Sequence, residues 1–165
     1  MGDPIFGHPD PSRDGVDMFA WQSAPFVSML EASGVTAPQG LAAFVTGLLS
    51  QLHRDKQACK KWLKFSFKWF LEEGIRTMAA ATAAEVVGIV YKGHPKVHAD
   101  LLASFTAFLK TGSVKVINED SFVTFLDFSE QFYSDPALKS YDPADSWPLV
   151  LDEWVEWHQA AANAK

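Results

Sequence analysis

The sequence predicts an all-α protein, a compact bundle of about seven short helices. Two observations carry that expectation. Apolar residues recur at i, i+3 and i+4 through most of the 165 residues, interrupted by Gly and Pro. No alternating apolar and polar run is bounded by hairpin turns. At 48% hydrophobic residues the chain can fill one core, and no linker divides it. The expected organisation is an irregular N-terminal arm over residues 1–20 and a single all-helical domain over residues 21–160.

The arm holds Pro4, Pro9, Pro11, Gly2, Gly7 and Gly15 and has little apolar periodicity. Ser23 and Pro25 then open a segment with Phe26, Met29 and Leu30 that stops at Gly34. Thr36-x-x-Gln39 is a capping-box start for a buried stripe of Leu41, Phe44, Val45, Leu48, Leu49 and Leu52. Asp55 caps the next helix, with Trp62, Phe65 and Trp69 expected to face inward and Lys56, Lys60, Lys64 and Lys68 in a row on the opposite face. That row is read as a solvated face, with a binding stripe as the alternative.

Beyond Gly74, Thr82-x-x-Glu85 is expected to cap a helix carrying Val86, Val87, Ile89 and Val90 that ends at Gly93. Pro95 sits in the first turn of a helix with Val97, Leu101, Phe105, Phe108 and Leu109, closed by Gly112. Asn118 to Phe132 forms another, and Tyr141 to Gln159 supplies the last.

Function classes narrow next. No apolar run approaches the ~20 residues that span a bilayer, and the first residues lack the basic and apolar regions of a secretory signal. An intracellular protein of the nucleus and cytoplasm, not membrane-bound, is the expectation. Phe6 stands where a myristoylation pattern wants Ser or Thr. The lone Cys59 excludes an internal disulfide and a Cys-rich zinc site. A net charge of −6 argues against general nucleic-acid binding, which needs a basic face. Residues 113–165 carry ten acids against three lysines, a net −7, so the negative charge lies almost wholly in the last third and favours a basic partner.

Candidate chemistry is sparse. His94 and His98, four apart, have no third ligand nearby and read as a surface pair rather than a metal site. Asp10 to Gly15 imitates the first half of a calcium loop, yet Trp21 stands where the bidentate Glu belongs, so it reads as a polar turn. Cys59, amid Lys56, Lys60 and Lys61, reads as a small residue on a helix flank, with a nucleophile as the alternative. No phosphate loop or nucleophile elbow appears, and no cofactor is expected.

The stretch Tyr141 to Gln159 holds three of the six tryptophans and five carboxylates. On a helical wheel Trp147, Val150, Leu151, Trp154, Val155, Trp157 and His158 fall within roughly 160°, a core face. Asp152, Glu153, Glu156 and Leu149 take the remainder. Solvated helices ordinarily mix Lys with Glu; this one does not.

That stretch carries a resemblance. Tyr141-Asp142, Trp147-Pro148 and Asp152-Glu153-Trp154-Val155-Glu156-Trp157 look like the closing signature of the defective-in-cullin-neddylation family, in its potentiating-neddylation domain. Asp120-Ser121-Phe122 leading to Leu126-Asp127-Phe128 resembles the helix before it, and Trp62 to Phe67 resembles an aromatic helix further upstream. The likeness covers residues 118–158 best, 59–112 less, and leaves no room for the family's full set of N-terminal helices.

The resemblance implies EF-hand-like helix packing and a scaffold-type ligase component with no active-site residues of its own. Its partners would be the C-terminal winged-helix region of a cullin and the neddylation conjugating enzyme. The family's acid-Ala-acid patch carries over as Asp120, Ser146 and Asp152, flanked by Leu149, Glu153 and Glu156, with Ser146 departing from alanine. The conjugating enzyme's tail groove would draw on Val35, Leu41, Trp69, Val86 and Ile89, although core packing explains Val86 and Ile89 as well. The alternatives are a cullin-binding adaptor or competitor that recruits no conjugating enzyme, and a generic helical interaction domain for a basic partner. A monomer is expected.

Overall fold

The computed structural model describes residues 38–163 together with Ser28, Glu31, Ala32, Gly34 and Val35. The expected arm, the calcium-like turn, most of the Ser23–Gly34 segment and the capping-box side chains of Thr36 and Gln39 lie outside the described residues. From residue 38 onward the described residues form six helices and two short strands in order: α1 (Pro38–Arg54), α2 (Lys56–Trp69), β1 (Thr77–Ala79), α3 (Ala80–Val90), α4 (Ala99–Lys110), β2 (Val116–Asn118), α5 (Glu119–Gln131) and α6 (Leu149–Asn163). The protein is an all-α bundle with one small sheet. Its contacts group as two units, Met1–Gln51 and Leu52–Lys165.

The first unit contributes most of α1. Its stripe was expected to be buried, but Val45, Leu48 and Leu49 are each more than a third exposed, while Leu41 and Phe44 are half-buried.

The second unit holds the core. α2 is capped as expected: the Asp55 carboxylate accepts from the amides of Gln57 and Ala58 at 2.9 and 3.0 Å. Its buried stripe is Cys59, Leu63, Ser66 and Phe67. Phe65 and Trp69 are therefore not inward-facing; they are 46% and 57% exposed. Both stripes have helical spacing, and the lysine row selects between them. Lys56, Lys60, Lys64 and Lys68 flank the buried stripe and reach acids of α5, which fixes the rotation of α2.

The two strands were not expected. They pair antiparallel, Met78 opposite Ile117, with both of those side chains buried and their neighbours exposed. Three residues are too few to display alternation. The sheet also moves a helix start. The Ala80 amide donates to the Lys115 carbonyl at 2.9 Å, and α3 begins there rather than at Thr82, with no side-chain cap. Likewise Pro95 precedes the helix it was expected to open. α4 starts at Ala99 because His98 takes the cap, accepting from the Asp100 amide through Nδ1 at 3.2 Å, while its own amide donates to Ser129 Oγ at 3.1 Å.

α5 matches its expected bounds. Asn118 Oδ1 accepts from the Ser121 amide at 2.8 Å, and Phe132 closes the helix. α6 starts at Leu149, so Trp147 packs against the core from a loop and not from the helix. The core is strongly aromatic: Phe105 stacks on Phe125 at 4.6 Å, and Trp154 meets Phe105, Phe125 and Phe128 at 5.1–5.8 Å between centroids. Trp154 Nε1 donates to Ser104 Oγ at 3.0 Å, and that hydroxyl also bonds His158 Nδ1 at 2.6 Å. α6 is thus fixed to α4 by burial and by hydrogen bonds together.

Candidate functional site

The acids of the last third divide into two groups according to what they touch. The first group is occupied within the fold. Asp127 pairs with Lys60 at 2.6 Å and Lys56 at 2.8 Å; Glu130 pairs with Lys96 at 2.7 Å and Lys56 at 2.9 Å; Glu119 lies 3.4 Å from Lys68 and 3.9 Å from Lys64. The lysine row is thus an interhelix seam between α2 and α5, neither a plain solvated face nor a binding stripe. Burial works against the charge of Asp127, but hydrogen bonds from Lys56 and Lys60 hold its carboxyl below the ordinary range. Hydrogen bonds from Lys96 and Lys56 bring Glu130 down to about 2. Asp135 accepts from the amide and the hydroxyl of Ser140, both at 2.7 Å, and Asp142 accepts from the Ala144 amide at 2.9 Å.

The second group is Asp120, Asp145, Asp152, Glu153 and Glu156, and among the described residues none of these has a lysine or arginine partner. Asp152, half-buried on α6, accepts a hydrogen bond from the Tyr141 hydroxyl. Burial, that bond and the charges of Asp152, Asp145 and Glu156 push the Tyr141 phenol well up. The four side chains therefore share one neighbourhood. Glu153 and Glu156 are exposed on α6, Ser146 is exposed in the preceding loop, and Leu149 presents an apolar side chain at 71% exposure.

Asp120 stands in a different setting. It is exposed in the first turn of α5 and lines a surface depression of about 430 Å³ together with Lys60, Lys64 and Arg76.

The residues expected for a tail groove fall in both units. Val35 and Leu41 belong to the first unit and are half-buried. Val86 is 3% exposed within the core, and Ile89 is 70% exposed on the outer face of α3, so core packing accounts for Val86 and not for Ile89. Trp69 lines a shallow apolar depression of about 190 Å³ with Phe65, Ser66 and Phe70. Phe70 was not singled out from the sequence, and neither was Tyr141 as a partner of Asp152. Tyr141 stood in the quoted motif, but nothing in its spacing shows a bond across eleven residues.

The histidine pair resolves differently from expectation. His94 is buried, its ring 4.3 Å from that of His53 and its Nε2 3.5 Å from Cys59 Sγ. Nδ1 accepts from the Lys96 amide at 3.2 Å, so the neutral ring carries its proton on Nε2, toward the sulfur. Burial, followed by the charges of His53 and Lys96, lowers His94 to about 4. Burial also pushes the Cys59 thiol up. A buried thiol with a raised pKa is a packing residue and not a nucleophile. Among the described residues no cluster of His, Cys, Asp and Glu is suited to hold a metal ion.

Comparison with known proteins bears on the same region. The chain is 33% identical over 110 residues to DCN1-like protein 2 of Dictyostelium discoideum, covering 66% of this chain and 39% of that protein. It is 33% identical over 106 residues to the human DCN1-like protein 4, covering 64% and 34%, and 29% identical over 113 residues to the bovine DCN1-like protein 5, covering 68% and 44%. The chain thus spans less than half the length of each of these curated relatives. Residues 40–157 match the model of the family described as cullin binding, and the chain belongs to that cullin-binding family.

Proposed function

We propose that this chain binds the C-terminal winged-helix region of a cullin and promotes transfer of a ubiquitin-like modifier onto it. The observation that carries the reading is the division of the acids. Asp127, Glu130 and Glu119 are neutralised by lysines of the fold, whereas Asp120, Asp145, Asp152, Glu153 and Glu156 have no cationic partner among the described residues. The unpaired carboxylates that share α6 with an exposed Leu149 suit a basic surface with an apolar contact at its centre. The aromatic anchorage of Trp154 supplies rigidity, so binding does not cost the ordering of a mobile helix. The chain's share of the reaction is proximity and orientation; the thioester chemistry belongs to the conjugating enzyme.

Calorimetric titration with the C-terminal region of a cullin tests the reading. Asp120→Ala/Asp152→Ala should weaken binding by about 2–5 kcal/mol, with no more than the small fall in melting temperature that follows from leaving the Tyr141 hydroxyl without its acceptor. No binding by the unmodified chain sinks the proposal. The exposed side chains of Trp69 and Ile89 would offer apolar surface to the conjugating enzyme's tail. A second reading, an adaptor that recruits no conjugating enzyme, is favoured by the burial of Val86, which takes that side chain out of any open groove. Reconstituted transfer with and without the chain separates the two: acceleration supports the co-ligase, and inhibition or no effect supports the adaptor.

A further inference from the structure

Among the described residues, the one hydrogen bond that reaches the unpaired carboxylates comes from a residue outside helix α6. We propose that Tyr141 is a positioning residue for partner binding, its hydroxyl holding the Asp152 carboxylate in a single orientation on the acidic face. The inference rests on the cullin-binding reading above and names the side chain on which that site depends.

An Asp on the rim of a helix ordinarily samples several rotamers, and a partner must pay the entropy of fixing one of them. Here the hydroxyl of Tyr141 donates to Oδ1 of Asp152. The donor cannot swing away, because its ring packs on Phe128 at 6.1 Å and on Phe132 at 6.0 Å, and both of those rings are buried. The bond uses one carboxylate oxygen and leaves Oδ2 to a cationic group of the partner. Tyr141 remains a donor throughout the physiological range, since burial and the carboxylates of Asp152, Asp145 and Glu156 all oppose loss of its proton. Glu153 and Glu156, exposed on the same helix, have no such support among the described residues, so the ordering is particular to Asp152 there.

The loop that carries Tyr141 is itself fixed. Leu138 is fully buried in a left-handed conformation at φ 53°, its carbonyl accepts from Gln159 Nε2 at 2.9 Å, and Asp135 ties down Ser140. The hydroxyl is therefore presented from a rigid frame.

A double-mutant cycle tests the proposal, using the full chain and the C-terminal region of a cullin as the titrant. Tyr141→Phe keeps the ring on Phe128 and Phe132 and removes only the hydroxyl. It should weaken binding about tenfold in the unmodified chain, and have no further effect in an Asp152→Ala background. Additive losses would mean that Tyr141 supports the loop and not the carboxylate, and would overturn the proposal. Wild-type affinity for Tyr141→Phe beside a weakened Asp152→Ala would also overturn it while leaving the acidic site intact. Wild-type affinity for both variants would remove the acidic site itself, and the proposal with it.

Discussion

The Lys60 ammonium of α2 lies 2.6 Å from the Asp127 carboxylate of α5, each side chain about one-quarter to one-third exposed. This pair, with its neighbours Lys56 and Glu130, converts what looks in sequence like surface charge into an internal seam. Partly exposed pairs contribute modestly because water screens them, so Asp127→Ala should cost about 1 kcal/mol. The seam also sets acid sensitivity. Asp127 is held below its ordinary pKa, and Glu130 falls from 4.5 to about 2. A depressed carboxylate stabilises the fold above its unfolded pKa and loses that contribution as pH falls toward the folded value. Urea denaturation should therefore show wild-type stability falling between about pH 4.5 and 2, with a shallower slope in Asp127→Ala. An equal slope in both proteins would mean that the Asp127 pairs carry none of the acid response, which would then fall to Glu130.

A second acid response comes from His94, at higher pH. Its folded pKa is about 4 against an ordinary 6.5, and His53 is lowered by burial in the same direction. For an imidazole this depression opposes folding in acid: the unfolded chain binds the proton first, so stability declines as pH falls from about 6.5 toward 4. The groups facing the ring are Cys59, His53, Lys96 and Glu130, and only Glu130 favours the charged form. At pH 5 the loss attributable to His94 is about 2 kcal/mol relative to pH 7. His94→Gln should start less stable but vary less between those two pH values. If it kept the wild-type slope, the response would lie elsewhere, with His53 the next residue to replace.

Local signals in the sequence read well where the contact is local. Asp55 bonds amides two and three residues ahead, so that helix start is legible as a cap, and Asn118, which bonds the amide three residues ahead, stands at the expected start of α5. Contacts set by the tertiary fold were not visible. Lys60 meets Asp127 across 67 residues, and Cys59 meets His94 across 35. The rotation of α2 differs from the expected one for that reason: two stripes of equal helical spacing compete, and only α5 decides between them. The strands failed on length, and the start of α3 followed from their pairing. The acidic face shows both regimes. The exposure of Leu149, Glu153 and Glu156 follows from the period of α6, whereas the occupation of Glu119, Asp127 and Glu130 by lysines could not be counted from net charge.

Leu149 and Trp154 lie five residues apart on α6 and should separate binding from folding. Leu149 is 71% exposed and shares α6 with carboxylates that have no cationic partner among the described residues, so truncation removes little packing. Leu149→Ala should change stability by less than about 0.5 kcal/mol, the usual range for an exposed site. If the leucine is the apolar contact at the centre of the interface, the same change should cost more than about 1 kcal/mol of cullin affinity. Trp154 is fully buried against Phe105, Phe125 and Phe128 and donates to Ser104. Trp154→Ala should lose about 3–5 kcal/mol of stability through cavity formation. Its binding loss should then follow the unfolded fraction and recover on cooling toward maximum stability, whereas the loss in Leu149→Ala should persist in fully folded protein. Thermal melts measured beside calorimetric titration at two salt concentrations decide the matter. On the proposed acidic interface, affinity of the unmodified chain should fall as salt rises, because salt screens surface charge. A Leu149→Ala variant that binds like wild type would move the contact away from the start of α6, and salt-independent affinity would remove the acids from it.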